Sequence, residues 1–281
     1  MFSMDTKEIL EKTFSHILLP LLLAIIWEIS AIYIHKPMVF PRLELIAKVL
    51  SHPNRKILIT GSILENMGVS LVRVASGFTI AAAIAIPLGI LMGYCKSAER
   101  ILESTVELLR PIPPLAWVPL ILAWFGIKGL ADLFPEISSS VVLGGVQFSM
   151  IIIILIGAFF PILLNTIHGV RSIPVVFIES AKSLGAKGFS LLFKVIIPGA
   201  LPSIVTGLRI GLGIGWMCLV AAEMMPGSNA GLGYLIWYAY ELLRTDIIVA
   251  GMLVIGVIGF VMDRGFKYIE TRKFSWISST R

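Results

Sequence analysis

Six stretches of this chain are apolar for about the length a helix needs to cross a bilayer, and they limit the fold more than any other feature. A rise of about 1.5 Å per residue must cover about 30 Å of hydrocarbon, which takes roughly 20 residues. The stretches are Ile17 to Ile34, Leu71 to Tyr94, Thr105 to Phe125, Val141 to Leu164, Leu201 to Met225 and Ile247 to Met262. Each is expected to form a spanning helix, so the fold class is an all-α polytopic membrane bundle of about six transmembrane helices. Charged residues make up 14% of the 281, against about 25% in a soluble domain. That is too little polar surface to cover a water-soluble fold, and it argues against disorder, a disulfide-stapled secreted domain and an ordinary cytosolic enzyme. The first stretch does not read as a cleaved signal peptide, because it is long and runs into His35-Lys36-Pro37 without a small-residue cleavage site.

The net charge of +6 would suit a nucleic-acid ligand, so the placement of the basic residues decides its meaning. With six spans and a cytoplasmic N-terminus, fourteen Lys and Arg fall on the cytoplasmic side, in 7–12, 96–110, 171–194 and 264–281. Seven fall outside, five of them between Lys36 and Lys56. The bias favours both termini inside and a bilayer partner, with no nucleic acid. Between positions 36 and 70, Leu43, Ile46, Ala47 and Leu50 are spaced for a short helix lying on the outer membrane surface, and Ile57 to Leu64 for a second. The expected organisation is an N-terminal span with this outer stretch over 1–70, a core over 71–268, and a cytoplasmic tail over 269–281.

No residues are spaced for chemistry. Cys95 and Cys218 form no pair motif, and the four histidines (16, 35, 52 and 168) lie at or beyond the span ends, so no metal, cofactor or nucleophilic site is expected at depth. The dipeptide Gly-Lys never occurs, which removes a phosphate-cradling P-loop. The chain is expected not to be an enzyme.

Most of the functional signal lies in the cytoplasmic loop 168–202, far longer than a bundle needs to join two helices. It reads Glu179-Ser180-Ala181-Lys182-Ser183-Leu184-Gly185, then nine residues, then Val195-Ile196-Ile197-Pro198. Pro174 permits a helix start, Ser180, Ala181 and Ser183 admit a close backbone, and Gly185 marks a helix end. Phe189, Leu191, Leu192 and Phe193 give a second, greasier helix that Pro198 and Pro202 hand on to the fifth span. Two short helices at an angle suit docking into a partner's groove.

This loop resembles the signature loop of permease subunits of binding-protein-dependent ABC importers, at Glu179, Ala181, Gly185, Val195, Ile197 and Pro198. Ser180, Val195 and Ile197 depart from its pattern while keeping size and polarity. The resemblance continues in Ser70-Leu71-Val72-Arg73-Val74, Gly77-Phe78, Ile86-Pro87-Leu88-Gly89, Leu109 to Leu120, Trp124 to Ile127, Gly207-Leu208-Arg209 and Leu219 to Glu223. Those residues look like the branch that carries nitrate, sulfonates, taurine or bicarbonate. The stretch from Leu130 to Met150 is longer than that branch usually has. The resemblance implies a type I importer-like bundle in a prokaryotic cell membrane, acting as a homodimer with separate ATPase subunits and an extracytoplasmic substrate-binding protein. It places ATPase coupling on Glu179, Ser180, Ala181, Ser183, Leu184, Gly185 and Pro198.

Residues inside the spans read two ways. Pro111, Pro113, Pro114 and Pro119 break the backbone ladder of the third span next to Trp117, as tolerated at a gate or a water-filled path. Gly207, Gly211 and Gly215 make two GxxxG steps, suited to helix packing or to a widened pathway. Arg209 either snorkels or pairs with Glu103 or Glu107, or draws an anion into the inner half of the path. Arg73 and Glu223 both fall near the outer interface and suit a pair there. Tyr234 to Tyr240 reads as an aromatic interface anchor. A secondary transporter is the rival reading, but it needs ionisable residues deep in the spans and paired broken helices, and it leaves the patterned loop unexplained.

Overall fold

The computed structural model describes residues 6–136 and 140–273. The first helix, α1 (Thr6–Ile34), is apolar over residues 18–34 except at Glu28 and Ser30, and only Ala31 among these is buried, so this part lies outside the bundle. Its polar breaks are used locally. Glu28 accepts the Leu43 N–H at 2.9 Å, and the Trp27 indole donates to Pro41 O at 3.0 Å. These bonds set α2 (Leu43–Leu50), the expected one-sided helix, which buries Ile46 against the rest of the fold.

The second expected surface helix does not form. Residues Leu58–Thr60 make one tight turn, and Gly61 reverses the chain at φ +88°. A capping box follows: Ser62 Oγ accepts the Glu65 N–H at 3.2 Å while Glu65 Oε2 accepts the Ser62 N–H at 2.7 Å. The long helix α3 (Ile63–Tyr94) therefore starts eight residues before the apolar run does.

The expected third span is broken. The helix α4 (Lys96–Leu109) is amphipathic and buries none of its residues. After it the chain turns through 84° into the tight turn Pro114–Trp117 and α5 (Val118–Phe125). Pro111, Pro113 and Pro114 cause the break: each lacks an N–H, and each biases the residue before it away from helix. The expected fourth span also starts later. Short turns at Leu130–Leu133 and Val141–Gly144 are joined by an antiparallel bridge between Gly129 and Gln147, and α6 (Phe148–Arg171) follows, running seven residues past Leu164.

Beyond α6 lie α7 (Val175–Ser183), then Phe189–Leu191 and a widened turn over Leu192–Ile196 that runs directly into α8 (Ile197–Glu223). The second loop helix expected from the sequence is thus the first part of the fifth span. Pro198 has no N–H to return to the preceding turn, which widens instead. Two further helices close the fold, α9 (Leu232–Glu241) and α10 (Thr245–Lys273). The tail expected over 269–281 is helical as far as Lys273, and residues 274–281 lie outside the described set.

The core is built around α6. Met150, Ile153, Ile154, Ala158, Ile162 and Leu163 are fully buried between α3 and α8. Gly77 and Gly89 of α3 meet Ile154 and Thr166, so α3 runs parallel to α6. Gly215, Gly211 and Gly207 of α8 meet Ile154, Ile162 and Asn165 in the opposite order, so α8 is antiparallel. The glycine stripe on α8 is therefore a packing face, which removes side chains where two helices approach closely. Among the described residues, α3, α6, Phe189–Glu223 and Thr245–Glu270 are each long and apolar enough to span a membrane. The bent pair α4–α5 supplies a further span when counted together, and Leu18–Ile34 adds a shorter apolar run.

Candidate functional site

At one end of the bundle, α7 stands out from the chain that joins α6 to α8. Pro174, in extended conformation at φ −57° and ψ 131°, turns the backbone out of α6 so that a new helix starts at Val175. The helix ends where the Gly185 N–H donates to Lys182 O at 2.9 Å and the Ala186 N–H donates to Ala181 O at 2.9 Å. Gly185 takes φ +86° there, a conformation that any side chain would strain. Ser183 Oγ donates to Glu179 O at 3.0 Å, back-bonding along the last turn.

One face of α7 is anchored and the other is bare. Ile178 and Ala181 rest on a cluster of Val170, Ile173, Leu191, Ile196, Ala200 and Ile204, which ties α7 to the end of α6 and the start of α8. Val175, Val176 and Phe177 are exposed, with Leu184 at 89% and Phe189 at 80% exposure. Glu179, Ser180, Lys182, Ser183 and Gly185 are exposed beside them, and Glu179 makes no ion pair among the described residues. Pro198, also exposed, lies in the first turn of α8 below this surface. An apolar and polar surface fixed from beneath by six aliphatic side chains can pass a push to two helices at once.

The opposite end holds a buried ionic cluster. Arg73 Nη1 lies 2.9 Å from Glu223 Oε1, and neither side chain is exposed. All five guanidinium N–H groups have acceptors: Nε and Nη2 reach Gly145 O, Nη2 also reaches Gln147 Oε1, and Nη1 also reaches Ala230 O. The Glu223 carboxylate also accepts from Ser70 Oγ at 2.9 Å and from the Gly233 N–H at 3.0 Å. Asn66 Oδ1 accepts the Gly231 N–H at 2.8 Å, and Ser70 Oγ accepts the Leu232 N–H at 3.0 Å. Gly231 sits at φ +114° against the carboxylate, where a Cβ would collide with it. The pair is thus fully satisfied, and it ties α3, α8, the segment before α6 and the 227–233 corner together. From the sequence, Arg73 and Glu223 were legible and Ser70 stood in the motif around Arg73 without a role, but Asn66 and Gln147 were not singled out. Asn66, Ser70 and Arg73 recur at helical spacing on one face of α3, a signal that would have found them.

The remaining pathway candidates are dispersed. Arg209 pairs with neither Glu103 nor Glu107. Its Nε and Nη2 clamp Asp263 at 2.6 and 3.0 Å, and Nη1 lies 3.5 Å from Glu270, so it joins α8 to α10. Gly211 and Gly215 are covered by α6 and Glu223 is closed in by its partners, so none of the three faces open space. Pro111 and Pro113 are exposed at the 84° bend and Pro114 is half-buried. Trp117 and Leu109 line an apolar cleft of about 230 Å³ with Ile84, Leu155, Ile156, Phe159 and Phe160. Among the described residues no group of His, Cys, Asp and Glu is placed to hold a metal ion.

Helices of spanning length wrapped around α6, with α7 projecting from one end, are the architecture of an ABC importer permease. A solved structure of the MetNI methionine ABC transporter in an inward-facing conformation shares it, with a TM-score of 0.56 at 18% identity over 74% of this chain and 92% of that one. The chain belongs to the family of binding-protein-dependent transport system inner membrane components, which its residues 85–275 match. It is 54% identical over 272 residues to a Methanocaldococcus jannaschii chain named as an ABC transporter permease, covering 97% of this chain and 94% of that one. It is 35% identical to the taurine transport system permease TauC of Escherichia coli, over 92% of this chain and 87% of that one. With the bicarbonate transport system permease CmpB of Synechococcus elongatus it shares 37% identity, over 72% and 66% of the two chains.

Proposed function

We propose that this chain forms the translocation path for a small anion of the nitrate, sulfonate, taurine or bicarbonate class, delivered by an extracytoplasmic binding protein and driven by separate ATPase subunits. The observation that carries this reading is α7: anchored by Ile178 and Ala181 and bare over Glu179, Ser180, Ser183, Leu184 and Gly185. In this reading both termini are cytoplasmic, α7 faces the ATPases of a prokaryotic cell membrane, and two copies of the chain enclose the path.

ATP-driven closure of the ATPases would displace α7, and the aliphatic cluster beneath it would carry the ends of α6 and α8 along. Because α8 is locked on α6 by its glycine face and on α3 by the Arg73–Glu223 pair, the three move as one rigid body. Pro111, Pro113, Pro114 and Trp117 then form the part that opens, since Pro111 and Pro113 are exposed at the bend and Trp117 rests on the core beside it. Arg209 supplies positive charge near the path, and Gly211 and Gly215 back its wall. The division into an N-terminal span with an outer stretch over 1–70, a 71–268 core and a 269–281 cytoplasmic tail belongs to the same reading.

The test is uptake into liposomes holding this chain, its ATPase and its binding protein, with labelled taurine, nitrate and bicarbonate offered separately. Accumulation of one of these anions over a cationic solute of similar size supports the reading. Accumulation of the cation alone would refute the substrate class.

A further inference from the structure

A basic cavity lies at the same end of the bundle as Arg73 and Glu223, where α2, the segment 51–57 and the start of α10 meet. It has a volume of about 350 Å³, room for roughly a dozen waters. Lys48, His52, Arg55, Lys56 and Arg244 line it, against the one carboxylate of Asp246. That carboxylate is already taken, clamped by Arg244 Nε and Nη2 at 2.9 and 2.8 Å. Among the described residues Lys48, Arg55 and Lys56 form no ion pair, so the cavity carries a net charge of +3 with His52 neutral: four Lys and Arg less one Asp. Leu45, Val49, Ile57 and Ile247 supply an apolar wall to the same space.

Two further observations say what kind of anion fits. The cations are flanked by bare apolar side chains, Ile59 at 90% exposure with Met38 and Val39 also exposed, which is how a segment lying in the bilayer interface is built. The start of α10, a helix long and apolar enough to span a membrane, forms part of the wall, so the cavity lies at the end of a candidate span. A soluble anion would need only the cations, whereas a phospholipid uses both the cations and the apolar wall. We infer that this cavity binds the phosphodiester of an anionic glycerophospholipid, with Lys48, Arg55 and Lys56 facing the phosphate and the apolar wall taking the start of the acyl chains. The bound lipid fastens α2 and the start of α10, an element that the segment between α1 and α2 already touches through the Thr245 Oγ bond to Pro37 O at 2.9 Å.

Native mass spectrometry of the full chain in neutral detergent tests this, with phosphatidylglycerol, phosphatidylcholine or inorganic phosphate added. Phosphatidylglycerol is expected to be retained at about tenfold lower concentration than phosphatidylcholine. Arg55→Glu/Lys56→Glu is expected to abolish that preference, while Lys96→Glu/Arg100→Glu on α4, beyond the far end of α3, keeps it. Thermal unfolding of both variants near the wild-type temperature shows that the exposed substitutions leave the fold intact. Equal retention of the two lipids, or an unchanged preference in the Arg55/Lys56 variant, would overturn the assignment. Displacement of the lipid by millimolar phosphate would reassign the cavity to a soluble anion. Loss of stimulation by the binding protein in the Arg55/Lys56 variant, with lipid retention unchanged, would make it a protein-docking face instead.

Discussion

Arg73 on α3 and Glu223 at the end of α8, separated by 150 residues in sequence, meet at 2.9 Å with neither side chain reaching solvent. A buried pair contributes little net stability when whole, because desolvation offsets the attraction, but losing one partner leaves a charge with no water. Arg73→Leu should therefore cost about 3–5 kcal/mol, read as a lower thermal midpoint in detergent. The double substitution Arg73→Met/Glu223→Leu should recover part of that loss. If Arg73→Leu unfolds at the wild-type temperature, the cluster does not brace α3 against α8.

The glycine face of α8 gives a matched comparison. A Cβ on Gly211 would lie 2.7 Å from Ile162 Cγ1 and 3.0 Å from Ala158 O, and the carbonyl cannot move aside. On Gly213, two residues on, it would meet nothing within 4 Å. Gly211→Leu should destabilise by about 1–3 kcal/mol or more and lower the yield of folded protein, while Gly213→Leu should change neither. Equal behaviour of the two, by thermal unfolding or by gel filtration, would mean that α8 does not pack on α6 through this face.

Glu179→Lys and Gly185→Trp act on the bare surface of α7. Gly185 has open space around it but takes φ +86°, so a tryptophan there adds bulk to the surface and about 1–2 kcal/mol of backbone strain. Both variants should insert in the membrane at wild-type levels and lose most of the ATPase that co-purifies with the chain. Gly185→Trp that retains the ATPase and transports at the wild-type rate would remove α7 from the coupling path.

Arg209 joins α8 to α10 at a site where both side chains keep substantial exposure, so solvent screens its pair with Asp263 and the pair contributes little to stability. Asp263→Asn should barely move the thermal midpoint. If the role is only to join two helices, the swap Arg209→Asp/Asp263→Arg should restore uptake lost in Arg209→Asp. If uptake stays lost while the midpoint recovers, the positive charge itself serves the path.

Much of the fold could be read from hydropathy, because spanning length is a strong signal wherever a helix is apolar throughout, as along Phe148 to Leu164. The errors came where local backbone chemistry outweighed composition. Thr105 to Phe125 is apolar enough to span, yet Pro111, Pro113 and Pro114 turn it through 84°. Polar residues hid the first turns of α3, since Glu65 caps the helix and Asn66 is buried on Thr60 O and Ser62 O. Arg209 was legible as a charge in a span, but its partner was not, because which carboxylate it meets depends on α10 lying antiparallel to α8. The loop was clearer than the path: Glu179 to Gly185 lie along the end of one short helix and its cap, whereas a path is enclosed by residues from several helices whose facing sides no spacing rule gives.

The central claim, that movement of α7 by an ATPase drives a solute through this bundle, is tested most directly by changing the energy source. Liposomes holding the chain, its ATPase and its binding protein should accumulate labelled anion when ATP is supplied to the α7 side, and Glu179→Lys should stop it. A proton or sodium gradient without ATP should give none. Uptake driven by the gradient and indifferent to ATP and to Glu179→Lys would contradict the account and leave a secondary transporter in its place.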